Sequence, residues 1–360
     1  MWTSFISSVS ADSRRGEWRD STSLAHARAP IAYDFKYRFD NRMIVVEPKN
    51  VLFSIVCPTF NRSKLLGRAI DSVLRQQLGD FELIIVNDGS TDDTRDLVSR
   101  YNDKRIVYIE HEKNKGTMAA CNTGFDKAKG TYIAKLDDDD ELSNHALQVA
   151  FDAFNELPND RIKVLFFNCI DVETGLISGK SLPEEATIRY EDLLCQKLMG
   201  DYWVVVERSI LSGGETLDER SWDDFGSLWL RLLRNFDGYY VPKICLLCYR
   251  EHGLPRRSNS DTNSRNLQAH EYTAKVLLEE FGVDMKSYCP KVYSKQIAAL
   301  AFYRLLNKNS RKARSDLLLS LKNHFTVFAL VLLLLSFTGN EKSALFIYER
   351  VLRNSVRIFF

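Results

Sequence analysis

The residues best equipped for chemistry stand at 137–140, where four consecutive aspartates, Asp137, Asp138, Asp139 and Asp140, follow the apolar run TYIAKL. Adjacent carboxylates repel one another unless a cation is present. Mg²⁺ and Mn²⁺ prefer hard oxygen ligands and commonly use one or two carboxylates, leaving other positions to phosphates and water. Along an extended segment residues i and i+2 point the same way, so Asp137 and Asp139 are expected to face one crevice together. The competing reading is a solvated acidic turn that caps a helix starting after Ser143. Asp88 beside Gly89 is a second candidate, with a plain turn role as its alternative. Asp223 and Asp224 precede the run Leu228, Trp229, Leu230 and Arg231, where carboxylates could equally serve only the helix dipole. Cys245 and Cys248 form a C-x-x-C, but no second pair or His cluster completes a zinc set, so they are read as structural thiols.

Several elements must position these groups. VLFSIVCPTFNR, from Val51, is an apolar run of strand length ended by Pro and Asn. Such runs suit strands buried on both faces. Asn61 or Ser63 is expected to cap the next segment, where Leu65, Leu66, Ala69, Ile70, Val73 and Leu74 recur at helical spacing. FELIIVNDGSTDDT reads as a second strand entering an Asp-Gly turn, then a short helix from about Asp92 to Tyr101. RIVYIEH is a third strand, 117–129 a helix of small residues, and TYIAKL a fourth strand. Alternating strands and helices predict an α/β, doubly wound and mostly parallel sheet. Ligands of such sheets bind outside the carboxyl ends of the strands, and each polar motif here sits at one.

Composition sets the outer bounds. Of 360 residues, 45% are hydrophobic and 27% charged, enough for a sizeable core and against general disorder. A net charge of +1 gives no global attraction to nucleic acid. Seven cysteines without framework spacing predict reduced thiols and a cytoplasmic setting. Residues 1–42 carry no apolar core of a signal peptide and are read as a disordered extension. Residues 263–360 read as a helical C-terminal region. Its apolar run FTVFALVLLLLSF, at 325–337, is too short to span a bilayer. Arg311, Lys312 and Arg314 precede it and Arg350, Arg353 and Arg357 follow. That arrangement fits a helix on an anionic membrane surface or one packed on the domain.

Four segments then carry a family likeness. CPTFNR at 57–62, IIVNDGSTDDT at 84–94, NKGTMAACNTGF at 114–125 and YIAKLDDDDEL at 132–142 resemble, in order, the motifs of inverting glycosyltransferase family 2, whose fold is GT-A. The likeness runs from about Leu52 to about Ser258. It implies a GT-A catalytic domain over 43–262, with a nucleotide-binding half of about 51–140 and an acceptor half of about 141–262. It also implies transfer of a sugar from a nucleotide-diphosphate sugar, most commonly UDP-linked, to a hydroxyl of a glycan or lipid-linked acceptor. A cation across the diphosphate stabilises the charge of the departing group.

The resemblance assigns roles residue by residue. Asp139 would touch the Mn²⁺ or Mg²⁺, and Asp137 the ribose or a metal-bound water. Asp138 occupies a variable position beside the donor, and Asp140 matches an acidic residue that commonly follows. Asp88 would recognise the base or ribose, although Asn87 stands where another Asp is frequent. Pro58, Thr59 and Asn61 would wall the base, with Arg62 on phosphate or ribose. Asn114 and Gly116 would let the donor approach a helix start, where phosphate is favoured. CYREHGLPRRSNS at 248–260 resembles the segment that closes over the diphosphate, giving Arg250 as a clamp and His252 as a further metal ligand. An inverting enzyme needs a general base opposite the leaving group. Asp224 is the first candidate and Asp223 its rival, because one residue near Gly226 and Ser227 is inserted relative to the family pattern. Trp203 and Trp222 are candidates to line an acceptor site. If the insertion misplaced the base, the chain would instead be a catalytically silent nucleotide-sugar-binding scaffold. A dinucleotide oxidoreductase is excluded, since CPTFNR replaces the glycine-rich turn.

Overall fold

The computed structural model describes residues 51–211, 214–250 and 264–337. Nine strands form a single sheet in the order β3-β2-β1-β4-β8-β6-β9-β5, with β7 on β9. The first four strands are β1 (Phe53–Thr59), β2 (Phe81–Asn87), β3 (Ile106–Glu110) and β4 (Tyr132–Lys135). All of them pair parallel. Between them run α1 (Ser63–Leu74), α2 (Thr94–Ser99) and α3 (Thr117–Lys127). β1 and β2 are buried at every position, as two-sided coverage requires of continuous apolar runs.

The period of two divides the core. Phe53, Ile55 and Cys57 join Leu83 and Ile85 in the layer under α1. Val56 joins Ile84 and Val86 in the layer under α3. Gly124 of α3 lies so close to β1 that a Cβ there would sit 2.3 Å from Val56 Cγ1. The small residues of that helix therefore serve close packing.

The second half begins with β5 (Glu141–Leu142), α4 (Ala146–Asn155), β6 (Ile162–Asp171), β7 (Ala186–Ile188), α5 (Tyr190–Leu194) and β8 (Tyr202–Glu207). α6 (Phe225–Leu233) and β9 (Asp237–Cys248) complete it. β8 runs antiparallel between β4 and β6, which makes the sheet mixed. The two expected halves thus share one sheet. Helices α7 (Ser264–Tyr288), α8 (Pro290–Leu306), α9 (Ser310–Asn323) and α10 (Val327–Leu335) follow. Leu277, Phe281, Met285 and Val292 pack on Leu194 of α5 and Leu230 of α6. No helix among the described residues is long and apolar enough to cross a membrane.

The expected cap of α1 differs in detail. Arg62 holds the cap position, and its side chain makes no bond to the helix start. Asn61, at φ +54°, uses its Oδ1 to accept from Thr91 N at 2.8 Å, tying the β1 and β2 loops together. Asp92 Oδ2 accepts from Ser63 N at 2.9 Å. The helix start is capped from a neighbouring loop, a partner that local sequence does not show.

Candidate active site

The carboxyl ends of β1, β2 and β4 open into a cavity of about 1350 Å³ lined by Pro58, Thr59, Asn61, Arg62, Asp88, Asn114, Gly116, all four aspartates of 137–140, Asp223 and Arg250. Most residues singled out from sequence therefore meet in one place. His252 lies outside the described residues.

The acidic run is a turn. Asp140 N donates to Asp137 O at 3.2 Å, so simple i, i+2 alternation does not describe it. Asp137 is the half-exposed member, and its Oδ1 accepts from Lys135 Nζ at 2.5 Å. Asp139 Oδ2 meets Arg62 Nη1 at 2.7 Å, with Asp138 Oδ1 at 3.7 Å from the same nitrogen. Arg68 donates to the Asp139 carbonyl. Tyr249 N donates to Asp140 Oδ1 at 3.1 Å. Two cationic side chains thus neutralise part of the run.

Burial sets the protonation of the rest. It pushes the Asp138 carboxyl up to about 7, against the pull of Arg62. Burial, together with the charges of Asp137 and Asp139, also pushes Asp140 up to about 7. Burial alone would pull the Lys135 ammonium down, but Asp137 more than offsets it and keeps Lys135 charged. Among the described residues no group of three His, Cys, Asp or Glu side chains is placed to hold an ion. The donor set fits a cation of another kind, one that arrives with a diphosphate and needs only one or two protein carboxylates. Arg62 is the cation that meets Asp139 here.

Asp88 is 2% exposed and thoroughly engaged. Its Oδ1 lies 2.7 Å from His111 Nδ1 and accepts from Lys115 N at 2.9 Å, while Oδ2 accepts from Gly116 N at 2.8 Å. The carboxylate pins the start of α3 to β2. Gly116, at φ +100°, gives one amide to this bond. Asn87 is occupied as well, donating to Tyr108 Oη and accepting from Ser90 N. Gly89 is fixed by sterics, because a Cβ there would lie 2.7 Å from the Lys113 carbonyl carbon, at φ +73°.

The two base candidates separate sharply. Asp224 is 1% exposed and does not line the cavity. Its Oδ2 accepts from Arg231 Nη2 at 2.7 Å and from Asp218 N at 3.0 Å. Arg231 lies seven residues after Asp224, the cap residue of α6, so about two helical turns bring the two side chains to the same side of the helix. Asp223 is exposed, lines the cavity and uses Oδ1 to accept from Phe225 N at 3.0 Å. Of the two candidates, Asp223 lines the cavity and Asp224 does not.

Arg250 is bound elsewhere than expected. Its guanidinium meets Asp171 at 2.8 Å and Asp201 at 2.6 Å, which braces the end of β6 against the loop before β8. Trp203 is a core residue whose Nε1 donates to Lys135 O at 3.1 Å. Trp222 lines the cavity and packs against His270, with ring centroids 4.6 Å apart. Cys245 is fully buried and Cys248 nearly so. Sequence reasoning missed Lys135, His111 and Arg231. Lys135 could have been found by its i, i+2 spacing to Asp137 and Arg231 by its i, i+7 spacing to Asp224, whereas His111 reaches Asp88 only through the fold.

A mixed α/β sheet thus brings an acidic turn and an exposed carboxylate to one cavity, and the class of protein that uses such a site follows from its relatives. Residues 54–203 match "Glycosyl transferase family 2". The chain is 30% identical over 304 residues, 80% of its own length and 94% of the other, to the GalNAc(5)-diNAcBac-PP-undecaprenol beta-1,3-glucosyltransferase of Campylobacter jejuni. It is 30% identical over 184 residues, 51% of its length and 70% of the other, to the UDP-Glc:alpha-D-GlcNAc-diphosphoundecaprenol beta-1,3-glucosyltransferase WfgD of Escherichia coli. The fold is also that of a mannosyltransferase from Pyrobaculum calidifontis solved with GDP-Man and Mn²⁺, at TM-score 0.52 and 14% identity over 87% of this chain and 85% of that one. The chain belongs to glycosyltransferase family 2.

Proposed function

We propose that the chain is an inverting, metal-dependent transferase that moves a sugar from a UDP-sugar to a hydroxyl of a lipid-linked glycan in surface polysaccharide assembly. The observation that carries this reading is that one cavity holds the donor motifs and, facing them, the unburied carboxylate of Asp223. The named relatives support the acceptor, since both are described as acting on undecaprenol-linked sugars.

The donor lies against Pro58, Thr59 and Asn61, with Asn114 and the α3 start beside its phosphates. Asp139 and Asp137, together with the diphosphate, would hold a divalent cation, which would supply charge stabilisation to the departing nucleotide. Arg62 is freed from Asp139 to face phosphate, a geometry that guanidinium suits. Asp88 acts indirectly, holding the α3 start in place. Asp223 accepts the proton of the acceptor hydroxyl. A cytoplasmic site follows from the nucleotide-sugar pool.

A screen of nucleotide-sugars with and without Mn²⁺ tests the donor, because a ligand bound only by the folded state raises its stability. UDP-sugars are expected to raise the melting temperature only with metal, and the same donor should support transfer to a lipid-linked saccharide. Metal-independent stabilisation, or unchanged turnover in excess chelator, refutes the metal-dependent reading.

A further inference from the structure

Helices α9 and α10 each bury one stripe and leave the opposite one in solvent. In α9, Ala313, Leu317 and Ser320 are fully buried, at i, i+4 and i+7. The other side carries Arg311, Lys312, Leu318, Leu319 and Lys322, all exposed. In α10, Ala329 and Leu332 are fully buried, whereas Val327 is 68% and Leu334 61% exposed. Phe325 and Phe337, just outside its ends, are 60% and 67% exposed. Between Phe325 and Phe337 the sequence has no charged residue, only Thr326 and Ser336 as polar ones.

Soluble monomers rarely expose contiguous apolar patches of this kind without a partner. Charge decides which partner. From Lys308 to His324 there are five Lys or Arg against one acid, Asp316, and that acid is paired with Arg304. An apolar helix face bordered by an excess of cations over acids matches the acyl and headgroup layers of an anionic bilayer. A protein partner would ordinarily place acidic groups opposite these cations, and a second copy of this chain would bring like charge. We propose that the α9–α10 face lies on an anionic lipid surface, with the apolar side chains of α10 in the headgroup–acyl boundary and the α9 cations over the headgroups. The reading goes beyond the donor, metal and base assignments and is independent of them.

The full chain is tested by co-sedimentation with vesicles of phosphatidylglycerol in phosphatidylcholine, and of phosphatidylcholine alone. Binding is expected only to the anionic vesicles and should weaken as salt rises. Val327→Asp with Leu334→Asp should abolish it without moving the melting temperature, because both side chains are exposed. Arg311→Gln with Lys312→Gln should weaken partitioning about 30-fold, from about 1 kcal/mol per basic residue near an anionic surface. Transfer to a soluble acceptor should be unchanged in both variants. Failure of the wild type to bind anionic vesicles, or variants that bind like the wild type, overturns the proposal. A dimer that the Val327→Asp, Leu334→Asp variant dissociates, with no vesicle binding, would assign the face to a second copy.

Discussion

Replacing Asp223 and Asp224 separately by Asn gives the most discriminating test of the active-site assignment. Asp223 is exposed, and its Oδ1 accepts from Phe225 N, a bond that an Asn oxygen can keep. Its change should therefore alter stability by no more than about 0.5 kcal/mol. Loss of a general base should lower kcat by about 10²- to 10⁴-fold, with the donor KM little changed. Asp224 is different, because its carboxylate is buried against Arg231. Breaking a buried pair by removing one partner costs about 3–5 kcal/mol. Here Arg231 retains Glu215 at 3.1 Å and Glu280 at 3.4 Å, so the loss should fall nearer 2–4 kcal/mol. Urea unfolding of both variants, with initial rates measured on folded protein, checks the pair. Full activity in Asp223→Asn, or a stable but inactive Asp224→Asn, would refute the assignment.

Two further outcomes follow from the geometry. Asp138 and Asp140 hold protons up to about pH 7 when folded but ionise near 4 when unfolded, so the folded state binds more protons across that window. Their contribution to metal-free stability should fall as pH rises from about 4 to about 7. Mn²⁺ on Asp137 and Asp139 would favour the charged form of these neighbouring carboxyls, so the melting shift it induces should grow over the same window, and a shift independent of pH would count against cation binding at this turn. Gly124→Ala places a Cβ within 2.3 Å of Val56 and should cost about 1–3 kcal/mol. Val56→Ala in the same chain should recover part of that loss in thermal melts, and an unchanged melting temperature in the single variant would show that α3 has room to move away from β1.

The sequence makes β1 to β4 legible because buried strands are continuous apolar runs and each ends in a breaker. The positions of Asp139 and Asp88 at strand ends follow from the same pattern. What those side chains touch does not. Asp88 reaches His111 across 23 residues and Asp139 reaches Arg62 across 77, separations that no local period encodes. The contact of Asp224 with Arg231 is local by contrast, since seven residues are about two helical turns. Of the expected closing segment over the diphosphate, Arg250 is described, whereas His252 lies outside the described residues.

The placement of β8 between β4 and β6 bears on how this chain can be divided. A cut after residue 140 looks natural, because the donor motifs end there. The fragment it leaves would carry β4 with the hydrogen-bonding edge that β8 normally covers, a template for intermolecular pairing. The remainder would hold β8 without its β4 neighbour. Fragment complementation at that point should give aggregation rather than two exchangeable modules, so acceptor preference in this architecture is more readily recombined by grafting loops than by swapping halves.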